Sequence, residues 1–570
     1  MSDCGTSVDW TKQQAMDHVV LVLFENRSFD NLLGHLYTEQ EKPGFEGVLG
    51  KTLSNPVPEW EGLERVPTGE PGCEENRVRY GPVDADNVNV PNPDPGEEYP
   101  HTNTQIYNVL RPENRFEGAH KMMLDPNMPR PEDEHDIELM GGFVTDYVSQ
   151  FKSLRGMLPT YAEYKQIMRG LTPEHVPVLS EIARNFVVFD HWFSEVPSQT
   201  FPNRSYWTAA SSAGFVINSP VWNWYHRNLA PTIFERLEEC GRTWKVYVLD
   251  SPLSVTGAIH HPRLADRFAD NFVPYDQFEI DVRDGTLPDF AVIEPNLLAG
   301  HGDYHPPMGE AMAGGIELPV DWVKPIDAGE RFLATVYNAV KGAPREVSPA
   351  DGRSCFWNTA LFIGWDEPGG TYDHVPPAAA VPPGDVEDRQ GFDFTRSGYR
   401  VPAILVSPWV EAGAVEGAPE GGPDTLQYRH TSMINTLRHR WDLGPPLTRR
   451  DADDSAARFD HLFSLPEPRS QWPDIPIPDA PVVTTGSGST GQFVGALGRH
   501  LVHGLSQLAH VGGHQLEGDD VDPDRYDPRK FAPYGKLTFP TKDFLEIVRA
   551  FGGIYFPRLQ AARPSDPIDS

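Results

Sequence analysis

ALFIGWDEPGGTYDHVPP, residues 360 to 377, decides how this chain is read. Its opening, Ala360-Leu361-Phe362-Ile363-Gly364, is a continuous apolar run of the kind that forms a strand buried on both faces. Two adjacent carboxylates follow, Asp366 and Glu367, then Gly369 and Gly370, then a second polar pair, Asp373 and His374. In open α/β sheets, ligands bind beyond the carboxyl ends of the strands. Neighbouring acids raise each other's pKa unless a cation neutralises them. The pair therefore reads as part of a cation site; an acidic strand-to-loop turn without chemistry is the plainer alternative.

Working outward, HVVLVLF at residues 18 to 24 is a second buried-strand run, and it too delivers a carboxylate, Glu25, followed by Asn26. Further strands are expected at residues 187–189, 243–249, 290–293 and 401–406. Helices are expected from Phe29 to Gly34, after Gly142, and at 178–186, 205–212, 231–239, 329–340 and 430–441. Strands alternating with helices imply an α/β fold with a mostly parallel sheet. Thr200 precedes Pro202, which biases its neighbour away from helix, so it is expected at a turn opening the 205–212 helix, as a cap or as a reacting group. Residues 41–100 are rich in Pro, Gly, Glu and Asn, an irregular insertion of the sort that covers a site. The main α/β domain is expected to span 15–465, and 466–570 to form an extension with a flexible linker at 484–492 and a helix near 541–551.

Composition narrows the function. Hydrophobic residues at 39% and aromatics at 11% of 570 residues describe a globular protein. With 82 acidic against 48 basic side chains the net charge is -34, a field that repels nucleic acid and leaves anionic membranes unattracted by the bulk surface. The four cysteines, Cys4, Cys73, Cys240 and Cys355, show no zinc-finger spacing. No run approaches the ~18 apolar residues of a membrane span. The first residues lack the basic start and cleavage site of an export signal, so the sequence as written is expected to be cytoplasmic unless an upstream signal is removed.

Together, Glu25, Asn26, Asp366 and Glu367 offer oxygen donors suited to a divalent cation, with Ca²⁺, Mg²⁺, Mn²⁺, Fe²⁺ and Zn²⁺ all admissible. A cation beside Thr200 would lower its hydroxyl pKa and offset charge on a phosphoryl oxygen. His101, His305 and His374 stand in Pro/Gly-rich polar surroundings, placed to bond phosphate oxygens or to protonate a leaving alkoxide. Trp222, Trp224 and Tyr225 are candidates to line a lipid groove, or else belong to the core.

Six ordered blocks carry a resemblance: HVVLVLFENRSFDNLLG, DPGEEYPHTNTQIYN, FDHWFSEVPSQTFPNRSYWTAASS, DYHPP, DEPGGTYDHVPP, and YRVPAILVSPW with YRHTS. In these the chain resembles the phosphoesterase family of bacterial and plant non-specific phospholipases C and related acid phosphatases. The resemblance implies a three-layer α/β/α sandwich similar to the alkaline phosphatase superfamily. It implies Thr200 as a nucleophile that becomes phosphorylated and also contacts the metal, with Glu25, Asn26, Asp366 and Glu367 as metal ligands and His101, His305 and His374 as site histidines. It implies a metal-dependent phosphoric ester hydrolase: a phospholipase C touching membranes at most transiently, a soluble phosphomonoesterase, or a binding protein that keeps the fold without catalysis. Two departures from the family pattern are Ser198 before the nucleophile and Pro368 after the acidic pair.

Overall fold

The computed structural model describes residues 10–479, apart from 85–86, 116–122, 124, 134–136, 219–220, 250–253, 296–301, 308–324 and 385–390. The strands of its main sheet are β1 (His18–Phe24), β2 (Val187–Phe189), β3 (Trp244–Val248), β4 (Phe272–Pro274), β5 (Phe290–Glu294), β6 (Thr359–Trp365), β7 (Ala403–Val406) and β8 (Ala414–Glu416). Across the sheet they run β8-β2-β7-β6-β1-β5-β3-β4. β1 is central, parallel to β6 on one side and to β5 on the other. Six of its seven residues are buried, because a central parallel strand is covered on both faces.

β7 alone runs antiparallel to its neighbours, β6 and β2. The reason lies in its connection. No helix is assigned in the described residues between β6 and β7, and a parallel neighbour requires a crossover element whereas an antiparallel return does not. The expected sheet is therefore mostly parallel with one reversed strand. β4 and β8, three residues each, were not among the expected strands.

The helices that matter here are α1 (Tyr99–Tyr107), α2 (Pro177–Asn185), α3 (Thr200–Ala209), α4 (Pro325–Lys341) and α5 (His430–Trp441). Side chains alternate along β6 and so reach both layers. Phe362 meets Trp207 of α3 with ring centroids 5.9 Å apart. A Cβ on Gly364 would lie 3.0 Å from the same indole. On the opposite face Trp365 packs on Phe24 with ring centroids 5.0 Å apart, and the Phe24 ring is 6.3 Å from Phe332 of α4. The result is the expected α/β/α sandwich.

α4 begins at Pro325, four residues before the expected 329, and two further helix starts differ from expectation for a local reason. α3 begins at Thr200 itself, with Gln199 extended before it. Pro202 is tolerated there because the first-turn N–H groups lack helical partners. The helix expected at 231–239 starts at Ile233 rather than Pro231: Thr232 caps it, Oγ1 accepting from Glu235 N at 3.2 Å and Glu235 accepting in return.

The insertion is only partly irregular. Ser54–Pro56 pairs with Arg77–Arg79, and α1 closes it. At the other end, residues 466–479 are not separate from the domain. Trp472 is buried against Phe186, Tyr337 and Phe356, and Asn338 of α4 donates to Ile475 O at 2.8 Å. The linker and helix expected beyond 480 lie outside the described residues. Cys73, Cys240 and Cys355 are free thiols.

Candidate active site

β1 and β6 run in register to their last residues, Phe24 opposite Trp365, so the residues that follow emerge side by side. Asp366 N donates to Phe24 O at 3.1 Å, fixing the step at which both chains leave the sheet. Asn26 turns back with φ 56°, a left-handed conformation that asparagine tolerates better than most side chains, and its N–H faces Asp366 Oδ1 at 3.4 Å.

The acidic pair is followed by glycines for a steric reason. Gly369 has φ +60° and lies against Asn26: a Cβ there would come within 2.3 Å of Asn26 O. Gly370, φ +65°, packs on Gly96 O, where a Cβ would stand at 2.5 Å. Pro368 fits this turn, its carbonyl accepting from Thr371 N at 3.1 Å and Thr371 Oγ1 at 2.8 Å. The DEPGG loop is thus clamped between the turn after β1 and the DPGEE loop of the insertion.

Glu25, Asp366 and Glu367 are each 1% exposed or less. One cation side chain reaches into them from α3: Arg204 Nη2 is 3.1 Å from Glu25 Oε1 and Arg204 Nε is 3.0 Å from Asp366 Oδ2. Arg204 also donates to Leu23 O at 3.1 Å, tying α3 to β1. Thr200 lies one helical turn earlier, the spacing that places two side chains on one face. Burial, then mutual repulsion with Asp366, holds Glu25 and Glu367 well above the usual carboxylate range. Asp366 is raised by burial against the pull of Arg204.

Ionised, three carboxylates against one guanidinium leave a net charge of minus two, which one divalent cation balances. Buried oxygens here that make no hydrogen bond among the described residues include Asn26 Oδ1, Thr200 Oγ1 and Glu367 Oε1, and Glu25 Oε1 has only its ion pair with Arg204. Buried polar atoms of this kind ask for a partner. The donor set therefore fits a divalent cation.

The remaining site candidates divide. His305 joins the group, its Nε2 3.0 Å from Asn26 Nδ2 and 3.7 Å from Glu97 Oε1. Its Nδ1 is 2.8 Å from Pro306 O and 3.9 Å from Asp94. His101 sits one layer back on α1, its ring against Gly96 and its Nδ1 2.7 Å from Asp146 Oδ1. Burial works to lower the His101 pKa, but Asp146 outweighs it and the imidazole is raised.

His374, expected beside the others, belongs to a different cluster. Its Nδ1 lies 2.6 Å from Asp30 Oδ2 and its Nε2 2.9 Å from Glu46 Oε1. Arg400 bonds Asp30 at 2.8 Å and Asp373 at 3.0 Å in the same cluster. With both ring nitrogens held by carboxylates, His374 staples the loop after Gly370 to the turn after β1. Trp224 is core: it is 1% exposed, packs on Phe201 and Phe215, and donates to Ile217 O at 3.0 Å. Tyr225 stacks on His261 at 3.7 Å; the Trp222 side chain lies outside the described residues.

Several residues of the site were quoted in the sequence blocks without a role. Asp94 and Glu97, 1% and 2% exposed, bring the insertion into contact with the site: Glu97 Oε1 accepts from Asn26 Nδ2 at 2.6 Å. Arg27 donates to Tyr304 O at 2.8 Å, and burial brings its pKa down to about 9 against the pull of Asp94 and Asp303. The available signal was charge density in DPGEE and PNR, segments whose burial nothing local announces.

Residues 16–444 match the model of the phosphoesterase family. The chain is 30% identical to non-specific phospholipase C3 of Arabidopsis thaliana over 475 residues, 81% of this chain and 76% of that protein. Non-specific phospholipase C1 of the same plant is 30% identical over 473 residues, 80% and 72% of the two chains. Phospholipase C A of Mycobacterium tuberculosis is 25% identical over 307 residues, 48% and 52%. Among solved structures, an alkaline phosphatase superfamily protein from Vibrio parahaemolyticus matches at a TM-score of 0.28 and 12% identity, covering 49% of this chain and 66% of its own. A score that low adds no weight, and the fold stands on its own sheet.

Proposed function

The chain belongs to the phosphoesterase family and is a phosphoric ester hydrolase, and from that premise we propose a divalent-metal-dependent phospholipase C working through a phosphorylated Thr200. The observation that carries the reading is the set of buried oxygens on Asn26, Thr200 and Glu367 that have no hydrogen-bond partner among the described residues, beside carboxylates that Arg204 only partly neutralises. The substrate class comes from the plant and bacterial relatives, whose names specify phospholipase C.

Glu25, Asn26, Asp366 and Glu367 hold the cation in this reading. When bound, the cation lowers the pKa of the Thr200 hydroxyl and offsets negative charge on the phosphoryl group. Thr200 Oγ1, which bonds to nothing among the described residues, gives its hydroxyl proton to solvent water and attacks phosphorus. The bond to the diacylglycerol oxygen breaks, and that oxygen takes a proton from the Asp94–Glu97–His305 trio. Water then cleaves the phospho-threonine and frees the phosphorylated head group and Thr200. His101 and His374 act at one remove, by bracing the two loops that hold Glu97 and Glu367.

The test is a substrate panel on the purified protein, with and without chelator: a chromogenic phosphomonoester, a choline phosphodiester and phosphatidylcholine vesicles. The expected result is chelator-sensitive release of diacylglycerol and phosphocholine. Turnover of the phosphomonoester alone assigns the site to the soluble phosphatase reading instead.

A further inference from the structure

We propose that the side-chain amides of Gln199 and Asn218 bind the phosphoryl oxygens of the group that reacts at Thr200, as the hydrogen-bond donors of an oxyanion site at the start of α3. The inference deepens the phosphoesterase reading and rests on it for the role of Thr200.

The two amides are tied to the turn that opens α3 by their oxygens. Gln199 Oε1 accepts from Asn218 N at 3.0 Å, and Asn218 Oδ1 accepts from Phe201 N at 2.7 Å. A backbone N–H only donates, so the atom facing it is the carboxamide oxygen and the orientation of each amide is fixed. What remains on each is an NH2 group. Gln199 and Asn218 are 1% and 0% exposed, and neither Gln199 Nε2 nor Asn218 Nδ2 has a hydrogen-bond partner among the described residues.

Asn203 is the contrasting case in the same turn. Its Oδ1 accepts from Glu195 N and Val196 N, both at 2.9 Å. Its Nδ2 lies 3.0 Å from Val196 O, 2.9 Å from Ser198 O and 3.0 Å from Gln199 O. Both ends of the Asn203 amide serve the fold, and they hold the segment that leads into Thr200 in one conformation. Gln199 and Asn218 serve it with one end each. A buried donor left over costs stability, so two of them side by side mark a place where a ligand supplies the acceptor.

Their position says which ligand. Gln199 precedes Thr200 in the chain, and the Asn218 amide is anchored on the residue after it, so both carboxamides are fixed within one residue of the proposed nucleophile. Thr200 also opens a ten-residue helix, whose first N–H groups favour an anion. A phosphoryl group reacting at Thr200 Oγ1 carries negative charge on its non-bridging oxygens, which accept hydrogen bonds. Neutral donors set in place beforehand stabilise that charge without having to reorganise.

The experiment uses the full chain at pH 8 and pairs calorimetric binding of inorganic phosphate with turnover of a choline phosphodiester. Gln199→Glu and Asn218→Asp keep the oxygen that accepts from the backbone and exchange the NH2 for a second oxygen. A carboxylate is favoured at a helix start, so Asn218→Asp should fold with an unchanged circular dichroism spectrum. We expect each variant to bind phosphate at least about tenfold more weakly and to lose about a hundredfold in kcat. Gln199→Met and Asn218→Leu, which remove donor and acceptor together, should lose as much. Wild-type phosphate affinity in the Glu and Asp variants overturns the proposal, even where the Met and Leu variants fail, because the amides then only brace the turn. Should one pair of variants not fold, the other decides: weaker phosphate binding supports the proposal and wild-type affinity overturns it. A wild type that binds no phosphate overturns it as well. Thr200→Ala separates the proposal from the reading beneath it. If Thr200→Ala still turns over while the amide variants lose phosphate, the nucleophile falls and the phosphate site stands; an inactive Thr200→Ala beside amide variants of wild-type affinity gives the reverse.

Discussion

Glu25 and Asp366 leave adjacent strands and share a single guanidinium, Arg204 reaching one at 3.1 Å and the other at 3.0 Å. Arg204 is carried by the helix that opens with Thr200, so one element positions both the proposed nucleophile and the carboxylates proposed to face its cation. It also makes this arginine the group whose removal should be felt most. Arg204→Met leaves two buried carboxylates without their counter-charge, which costs about 3–5 kcal/mol when one partner of a buried pair is deleted. Denaturant unfolding in chelator should show that loss. A variant as stable as the wild type means that the pair is not formed.

Thr200→Ala should behave in the opposite way. Its Oγ1 bonds to nothing among the described residues, so truncation orphans no partner and stability should change by less than about 1 kcal/mol. Turnover on every substrate should fall by at least about a thousandfold, as for other deleted nucleophiles. A variant that keeps its rate removes Thr200 from the mechanism.

A divalent cation should stabilise the wild type, because it discharges carboxylates that burial and mutual repulsion hold well above their usual pKa. At a hundred times its Kd the gain is about 2.7 kcal/mol if the unfolded chain binds none. Thermal unfolding with and without chelator measures it. An unmoved transition across saturating Ca²⁺, Mg²⁺, Mn²⁺ and Zn²⁺ argues that the carboxylates are held by protons alone.

Gly369→Ala tests the clamp between the two loops. The added methyl would fall 2.3 Å from Asn26 O, at a φ of +60° that alanine resists. Either Asn26 or the acidic pair must move. We expect a destabilisation of about 2 kcal/mol and, from displaced ligands, about a hundredfold loss of kcat. A crystal structure of the variant with Asn26 unmoved contradicts this account.

His374 gives a pH dependence of known sign. Burial lowers its pKa, but Asp30 outweighs burial, and the folded imidazole is raised above its ordinary value. A raised histidine contributes stability that is complete below the unfolded pKa of about 6.5 and is lost as pH rises through the folded value. His374→Gln should therefore cost more at pH 5.5 than at pH 8.5. Paired melting curves at those two values decide it; an equal gap at both means that Asp30 and His374 are not an ion pair.

Much of this was legible before the fold was known. The apolar runs at 18–24 and 360–364 are strands because a continuous hydrophobic stretch of that length is stable only when covered on both faces, and each run ends at its acid. The glycines after Glu367 announced a turn, and the order of six blocks announced the family. Such features are local, written in the residue types of one segment.

What the tertiary structure alone decided is which segments face one another. Nothing in DPGEE says that Glu97 is buried against Asn26 and Asp94 beside His305, or in PNR that Arg204 spans two strand ends. His374 follows the acidic pair closely in sequence, yet it turns to Asp30 and Glu46, because the loop reverses at Gly369 and Gly370 before reaching it. Burial and counter-charge depend on strand order and on the packing of an insertion over the strand ends. Those are long-range properties, set only when the sheet closes, and a periodicity of two or 3.6 residues carries no trace of them.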